Sequence, residues 1–137
     1  MEDCLFCKII KGEIPSAKVY EDEHTFAFLD IHPNNHGHTL VIPKEHHKNI
    51  LDISEPALVS LFASVKKLSL AVFKGMDAQG ITVQMNNERP AGQIIFHAHV
   101  HIIPRFEADG LHLWSKNVPY KDGEMEITAE KIKNAIP

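Results

Sequence analysis

Cysteine is scarce: the 137-residue chain has two, Cys4 and Cys7, three positions apart. Such a pair forms no disulfide framework, which excludes a small domain held by cross-links. Neither sign of charge dominates, with 14 Lys and Arg against 18 Asp and Glu and a formal net charge of −4. A sequence-independent nucleic-acid binder is basic, so nucleic acid is not an expected partner. No uninterrupted apolar run is long enough for a signal peptide or a membrane span, and the chain begins with the acidic Met1-Glu2-Asp3. A membrane is therefore not expected as a partner, and the expected compartment is cytoplasmic. The chain shows neither an internal repeat nor a low-complexity segment. With 23% charged and 44% apolar residues it has the composition of an ordinary globule, enough for one domain with a modest core and too short for two.

Local patterns outline the elements. Cys4 to Lys11 reads as a short helical turn ended by Gly12. Strand candidates follow at Lys18 to Glu21 and Thr25 to Leu29, with Asp22-Glu23 turning between them, and then at His38 to Pro43. Ser54 is an N-cap candidate and Pro56 suits the first turn of the one long helix. That helix carries Leu58, Leu61, Phe62, Val65, Leu68 and Val72 at helical spacing and stops near Gly75. Val59, Ala63, Leu70 and Phe73 widen its apolar stripe beyond one face, and part of that width is a candidate subunit interface. Ile81 to Met85 reads as a fourth strand and residues 95–103 as a fifth. The tail from Glu107 is polar and mixed, with a helix expected near Thr128 to Asn134. Strands, one long helix and two more strands predict an α+β domain with a meandering antiparallel sheet.

The chemistry concentrates in the fifth strand. His97, His99 and His101 alternate with Ala98, Val100 and Ile102. In an extended chain alternate side chains share a face, so the three imidazoles point one way while Phe96, Ala98, Val100 and Ile102 face a core. Exposed polar residues would be the bland explanation. Histidines two apart on a strand, with bases about 6.6 Å apart, can also converge on a metal ion. Alternatively, neutral imidazole is both a good nucleophile and, with a pKa near 6.5, a good leaving group, suited to carrying a phosphoryl or nucleotidyl group.

The run His97-Ala98-His99-Val100-His101-Ile102-Ile103 resembles the signature of the histidine-triad (HIT) family of nucleotide hydrolases and transferases. Three further segments support the resemblance: Ala91-Gly92-Gln93, Gly37-His38-Thr39-Leu40-Val41-Ile42-Pro43-Lys44, and Phe26-Ala27-Phe28-Leu29-Asp30-Ile31. It spans roughly residues 3–106 of a single 1–137 domain, leaving 107–137 as a C-terminal extension. The short branch of nucleoside phosphoramidases and their bacterial relatives is the most similar. The resemblance implies a five-stranded antiparallel sheet with one long helix and a short N-terminal helix, paired as a homodimer.

The resemblance also implies roles. His99 would be the nucleophile, forming a nucleotidyl-histidine intermediate that water hydrolyses, with its second ring nitrogen held by a backbone carbonyl of its own strand. His101 would bind the phosphate and protonate the leaving group, and His38 matches the family's fourth histidine. Asp30 and Ile31 match ribose and base contacts. Asn86, or Asn87 in a slipped register, would contact phosphate or ribose. Gly92 would let the backbone approach the phosphate, and Gln93 would reach the leaving group. Many phosphoramidases have serine where this chain has Ile94, which leaves room for another leaving group. The substrate class implied is a purine nucleotide such as AMP or an adenosine phosphoramidate. A dinucleoside polyphosphate hydrolase, a non-catalytic nucleotide sensor, and a metalloenzyme using the triad as ligands are the rivals.

Cys4 and Cys7 have the spacing of two thiolates on one Zn²⁺. By resemblance to bacterial family members, His46 and His97 would complete a closed structural site, with His47 the alternative ligand and no catalytic metal required. His24, His32, His36 and His112 carry no motif and are expected on the surface.

Overall fold

The computed structural model describes residues 3–110 and 117–137. In chain order the elements are α1 (Leu5–Ile10), β1 (Lys18–Glu21), β2 (Thr25–Leu29), β3 (Thr39–Pro43), α2 (Glu55–Gly75), β4 (Gly80–Gln84), β5 (Val100–Arg105) and α3 (Glu124–Asn134). The strands form one antiparallel sheet in the order β1-β2-β3-β5-β4. Cys4 caps α1 by accepting the Cys7 N–H on its thiol at 3.3 Å, and Ser54 caps α2 through the Ala57 N–H.

Period-two alternation divides the sheet into two differently used faces. Val19, Ala27, Leu29, Val41, Val100 and Ile102 meet Leu61, Val65, Leu68, Ala71 and Val72 of α2, with Ala129 and Ile132 of α3. On the other face Phe26, Phe28, Leu40 and Ile42 are covered by Phe6 and Ile9 of α1. His101 lies between Val100 and Ile102 in β5 and so points to this second face.

Three expectations change. The fifth strand begins at Val100, so only His101 of the three histidines stands in the ladder. β3 supplies the reason: its pairing with β5 runs Thr39 with Ile102, Leu40 with His101 and Val41 with Val100. Continued, it would reach Pro43, which has no N–H to give, and whose carbonyl instead accepts the His97 side chain at 2.8 Å. Ala98 donates its N–H to His47 O at 2.7 Å, outside the sheet. Secondly, Phe62 lies on the outer face of α2 and is 39% exposed, together with the exposed Val59, Leu70 and Phe73. By length and composition alone α2 could cross a membrane, but its inner face is spent on the sheet and Lys66 and Lys67 stand exposed at its middle. Thirdly, the tail helix starts at Glu124 and belongs to the main core. Gly75 makes this possible, since a Cβ there would lie 2.8 Å from Lys131 O. His112 falls outside the described residues.

Because Ile132 is fully buried against α2 and the sheet, Ile132→Ala should destabilise the protein by about 2–5 kcal/mol in urea unfolding. A loss below roughly 0.5 kcal/mol, the scale of a surface change, would show that residues 117–137 are an appendage.

Candidate active site

The end of the β3–β5 ladder lets the three histidines diverge. His97 gives its Nε2–H to Pro43 O, leaving its Nδ1 lone pair aimed at Cys4 Sγ, Cys7 Sγ and His46 Nδ1 at 3.3, 3.5 and 3.2 Å. His99 gives its Nδ1–H to the His97 carbonyl at 2.7 Å, which leaves the reactive lone pair on Nε2. The backbone carbonyl expected to hold His99 is thus that of His97.

The tautomer of His101 follows from a longer chain. The Asn34 N–H donates to His38 Nδ1 at 3.1 Å, so neutral His38 carries its proton on Nε2. That nitrogen lies 2.9 Å from His101 Nδ1, which accepts, and His101 therefore carries its own proton on Nε2. Rings 99 and 101 are 5.1 Å apart between centroids. A lone pair on one imidazole thus stands beside an N–H on the next, the pairing that nucleophilic attack with general-acid assistance needs. The three triad side chains are engaged in three directions and do not converge on one ion.

Burial keeps these rings neutral. It lowers His38 to about 4 and His101 to about 3 from the ordinary 6.5. Mutual repulsion with His99 adds to both shifts, while the Asp30 carboxylate, 3.7 Å from His38 Nε2, opposes that of His38. His97, lowered to about 4, and His99 are also depressed chiefly by burial.

Asp30 follows β2 and accepts the His32 N–H on Oδ1 at 2.8 Å, a turn that leaves Ile31 67% exposed. An exposed apolar side chain beside a carboxylate suits a base and a ribose diol. Asn86 donates to Ala91 O, whereas Asn87 accepts the Ile50 N–H, so it is Asn86 that faces the 88–92 turn. Gly92 sits at φ +97, where a Cβ would be 3.3 Å from Asn86 Nδ2; glycine both adopts that conformation and leaves room.

Gln93 departs from its expected role. It is 2% exposed, and its Oε1 accepts from Asn49 Nδ2 and the Glu88 N–H at 3.0 and 2.8 Å. Its Nε2 donates to Lys48 O and Ile95 O at 2.7 and 3.0 Å. All its hydrogen-bonding capacity is used within the protein, so it braces the loop and does not reach a leaving group. Asn49 and Glu88, joined at 2.6 Å, complete this brace and carry no recognisable sequence signal. The outward side chain here is Ile94, 84% exposed. His24 and His32 are on the surface as expected, but His36 stacks on Tyr120 at 4.2 Å.

Cys4, Cys7, His46 and His97 offer four ligand atoms all within 4.8 Å of one another. A tetrahedral Zn²⁺ with two S and two N ligands requires N···N and S···N edges of about 3.3 and 3.6 Å. The observed values are 3.2 Å for His46 to His97, and 3.3, 3.4 and 3.5 Å for three of the four thiol–imidazole pairs, Cys4 with His97, Cys7 with His46 and Cys7 with His97. These donors fit the metal. His47 lies outside the group, with Nε2 3.2 Å from Glu45.

Sheet, histidine arrangement and thiol–imidazole cluster together define a histidine-triad protein. A family model for the HIT domain matches residues 11–108, and the chain belongs to that family. It is 43% identical over 138 residues to Protein hit of Bacillus subtilis, covering 98% of this chain and 95% of that one. Over 134 residues it is 38% identical to the adenosine 5'-monophosphoramidase hnt1 of Schizosaccharomyces pombe, covering 97% of this chain and 98% of the relative. A zinc-bound histidine triad family protein from Mycobacterium smegmatis superposes with a TM-score of 0.89 at 32% identity, over 98% of this chain and 94% of that chain.

Unfolded imidazoles protonate near 6.5, whereas folded His38 and His101 do so only at about 4 and 3. The unfolded state binds more protons across that window, so stability is full above pH ~6.5 and is lost as pH falls towards ~4. Thermal melts should show Tm decreasing across this range, with a shallower slope for His38→Asn. A Tm that holds or rises on acidification would contradict neutral burial.

Proposed function

We propose that the protein is a nucleotide hydrolase attacking nucleoside 5′-phosphoryl groups through a nucleotidyl-His99 intermediate, with purine nucleoside phosphoramidates as substrates and AMP as product. The His99 tautomer carries this reading: its Nδ1 proton is given to His97 O at 2.7 Å, so Nε2 is the nucleophilic nitrogen. The phosphoramidase named among the relatives supports the substrate class.

In the first step the Nε2 lone pair attacks the α-phosphorus as the P–N bond to the amine breaks, and His101, protonated against the bound phosphoryl anion, gives its Nε2 proton to the departing nitrogen and becomes neutral. Water then attacks the same phosphorus, giving its proton to His101. The bond to His99 breaks, AMP leaves, and both imidazoles return to their starting forms. Asp30 receives the ribose hydroxyls, Ile31 packs under the base, and Asn86 with the backbone at Gly92 meets phosphate or ribose oxygens.

Zn²⁺ held by Cys4, Cys7, His46 and His97 would be structural, since four protein ligands leave no position for substrate. In the dimer, the exposed Val59, Phe62, Leu70 and Phe73 of α2 and Val83 of the edge strand β4 form the apolar surface that a second copy covers. Native mass spectrometry should return twice the 15.4 kDa chain with one zinc per chain. A monomer would refute the pairing, and a metal-free protein from zinc-replete cells would refute the site.

Intact-protein mass spectrometry after brief mixing with an adenylated amine tests the chemistry. Wild type should show a transient adenylate adduct. His99→Ala should show none and lose turnover roughly a thousandfold or more, the scale of removing a covalent nucleophile. Preferred cleavage of a diadenosine polyphosphate would replace the leaving group. AMP binding with neither adduct nor turnover would replace the enzyme by a nucleotide sensor.

A further inference from the structure

Residues 30–38 connect β2 to β3 and carry the backbone group that sets the tautomer of His38. The Asn34 N–H donates to His38 Nδ1 at 3.1 Å, and the His38 N–H closes the turn on Asn35 O at 3.1 Å. A surface turn held by two such bonds alone opens at little cost. The rest of its support comes from the C-terminal part of the chain.

Val118 gives its N–H to Pro33 O at 2.9 Å. The Tyr120 hydroxyl accepts the Gly37 N–H at 2.8 Å, one residue before His38. The same ring stacks on His36 with planes 22° apart, and His36 Nε2–H donates to Pro119 O at 3.2 Å. From the other side Asn35 Nδ2 donates to Pro104 O and Asp109 at 2.9 and 3.1 Å, and Arg105 holds that carboxylate with two 2.9 Å bonds. Burial pushes the Tyr120 phenol above its ordinary 10, so the group stays a hydroxyl. Its own support is firm, because α3 follows it and is buried through Ala129 and Ile132.

We infer that Tyr120 is a positioning residue for the His38–His101 pair: by holding the Gly37 N–H, the C-terminal extension fixes the turn whose Asn34 N–H selects the His38 tautomer. His38 Nε2–H then points at His101 Nδ1, 2.9 Å away. With the turn released, His38 can carry its proton on Nδ1 instead, and the contact that orients His101 is lost. This role rests on the nucleotidyl-transfer reading, which makes His101 the proton donor. The order of the His38 ring is measurable without turnover. Tyr120 acts through the turn and not on the reacting atoms.

The zinc-loaded full-length protein carries the test. Tyr120→Phe removes the hydroxyl and keeps a ring on His36, whereas Tyr120→Leu removes both. Ile132→Val, which trims the core contact of the same extension, serves as control. Long-range ¹H–¹⁵N correlation spectra report the His38 tautomer directly. Wild type and Ile132→Val should show a single Nε2–H form, and Tyr120→Phe a mixture of forms or an exchange-broadened ring. The kcat of Tyr120→Phe should fall roughly three- to tenfold, the scale of one neutral hydrogen bond, and that of Tyr120→Leu further. KM should stay within about twofold, as for an interaction made only in the transition state. A wild-type His38 spectrum or an unchanged kcat in Tyr120→Phe overturns the inference. An equal fall in Ile132→Val also overturns it, since that marks a general loosening of the extension. If Tyr120→Leu fails to fold, Tyr120→Phe still decides. If wild type itself neither turns over nor forms an adduct, the hydrolase reading falls, and the spectra alone decide whether the extension orders His38.

Discussion

His97 joins everything at the centre of this molecule, because one residue makes three bonds in three directions. Its Nε2–H secures it to Pro43 O at the end of β3, its Nδ1 faces the thiol–imidazole cluster, and its carbonyl accepts from the ring of His99. The arrangement exists because the β3–β5 ladder stops where proline has no N–H to offer. A strand continuing through residue 97 would have committed that carbonyl to a neighbouring strand. The same irregular stretch sends the Ala98 N–H to His47 O, next to His46, so the loop carrying His46 is tied to the segment carrying His99.

A second constraint is neutrality. Four imidazoles (38, 97, 99 and 101) lie within one buried region, and their protonated forms would repel one another while losing hydration. That cost makes a defined chain of tautomers possible, from the Asn34 N–H through His38 to His101. Phe6 and Phe28 wall one side of this region. Edge-to-face contacts of this kind contribute about 0.5–1.5 kcal/mol each beyond their area, and they suit a neutral ring. Burial holds the His99 ring in the neutral form, which keeps the lone pair on Nε2.

Much of this was legible in the sequence. The alternation of His97, His99 and His101 marked the site, the Cys4–Cys7 spacing marked half of the metal cluster, and the spacing of Leu61, Val65, Leu68 and Val72 gave the core face of α2. What was not legible depended on tertiary partners. A uniform histidine strand was the natural reading of period two, yet its ladder ends at Val100 because of Pro43 on another strand. Gln93 looked like a substrate ligand until its four partners were visible, two of them backbone carbonyls from separate segments. Asn49 and Glu88 have no motif, since a brace is defined by what it touches. The burial of α3 against Gly75 and the stacking of Tyr120 on His36 likewise join positions far apart in the chain.

The central claim is that phosphorus is displaced twice, first by His99 Nε2 and then by water. The stereochemical course at a chiral adenosine 5′-phosphorothioamidate, hydrolysed in isotopically labelled water, measures this directly. Each in-line displacement inverts phosphorus, so the account predicts overall retention. Inversion would mean that water attacks the substrate in a single step, and His99 would then not be the nucleophile.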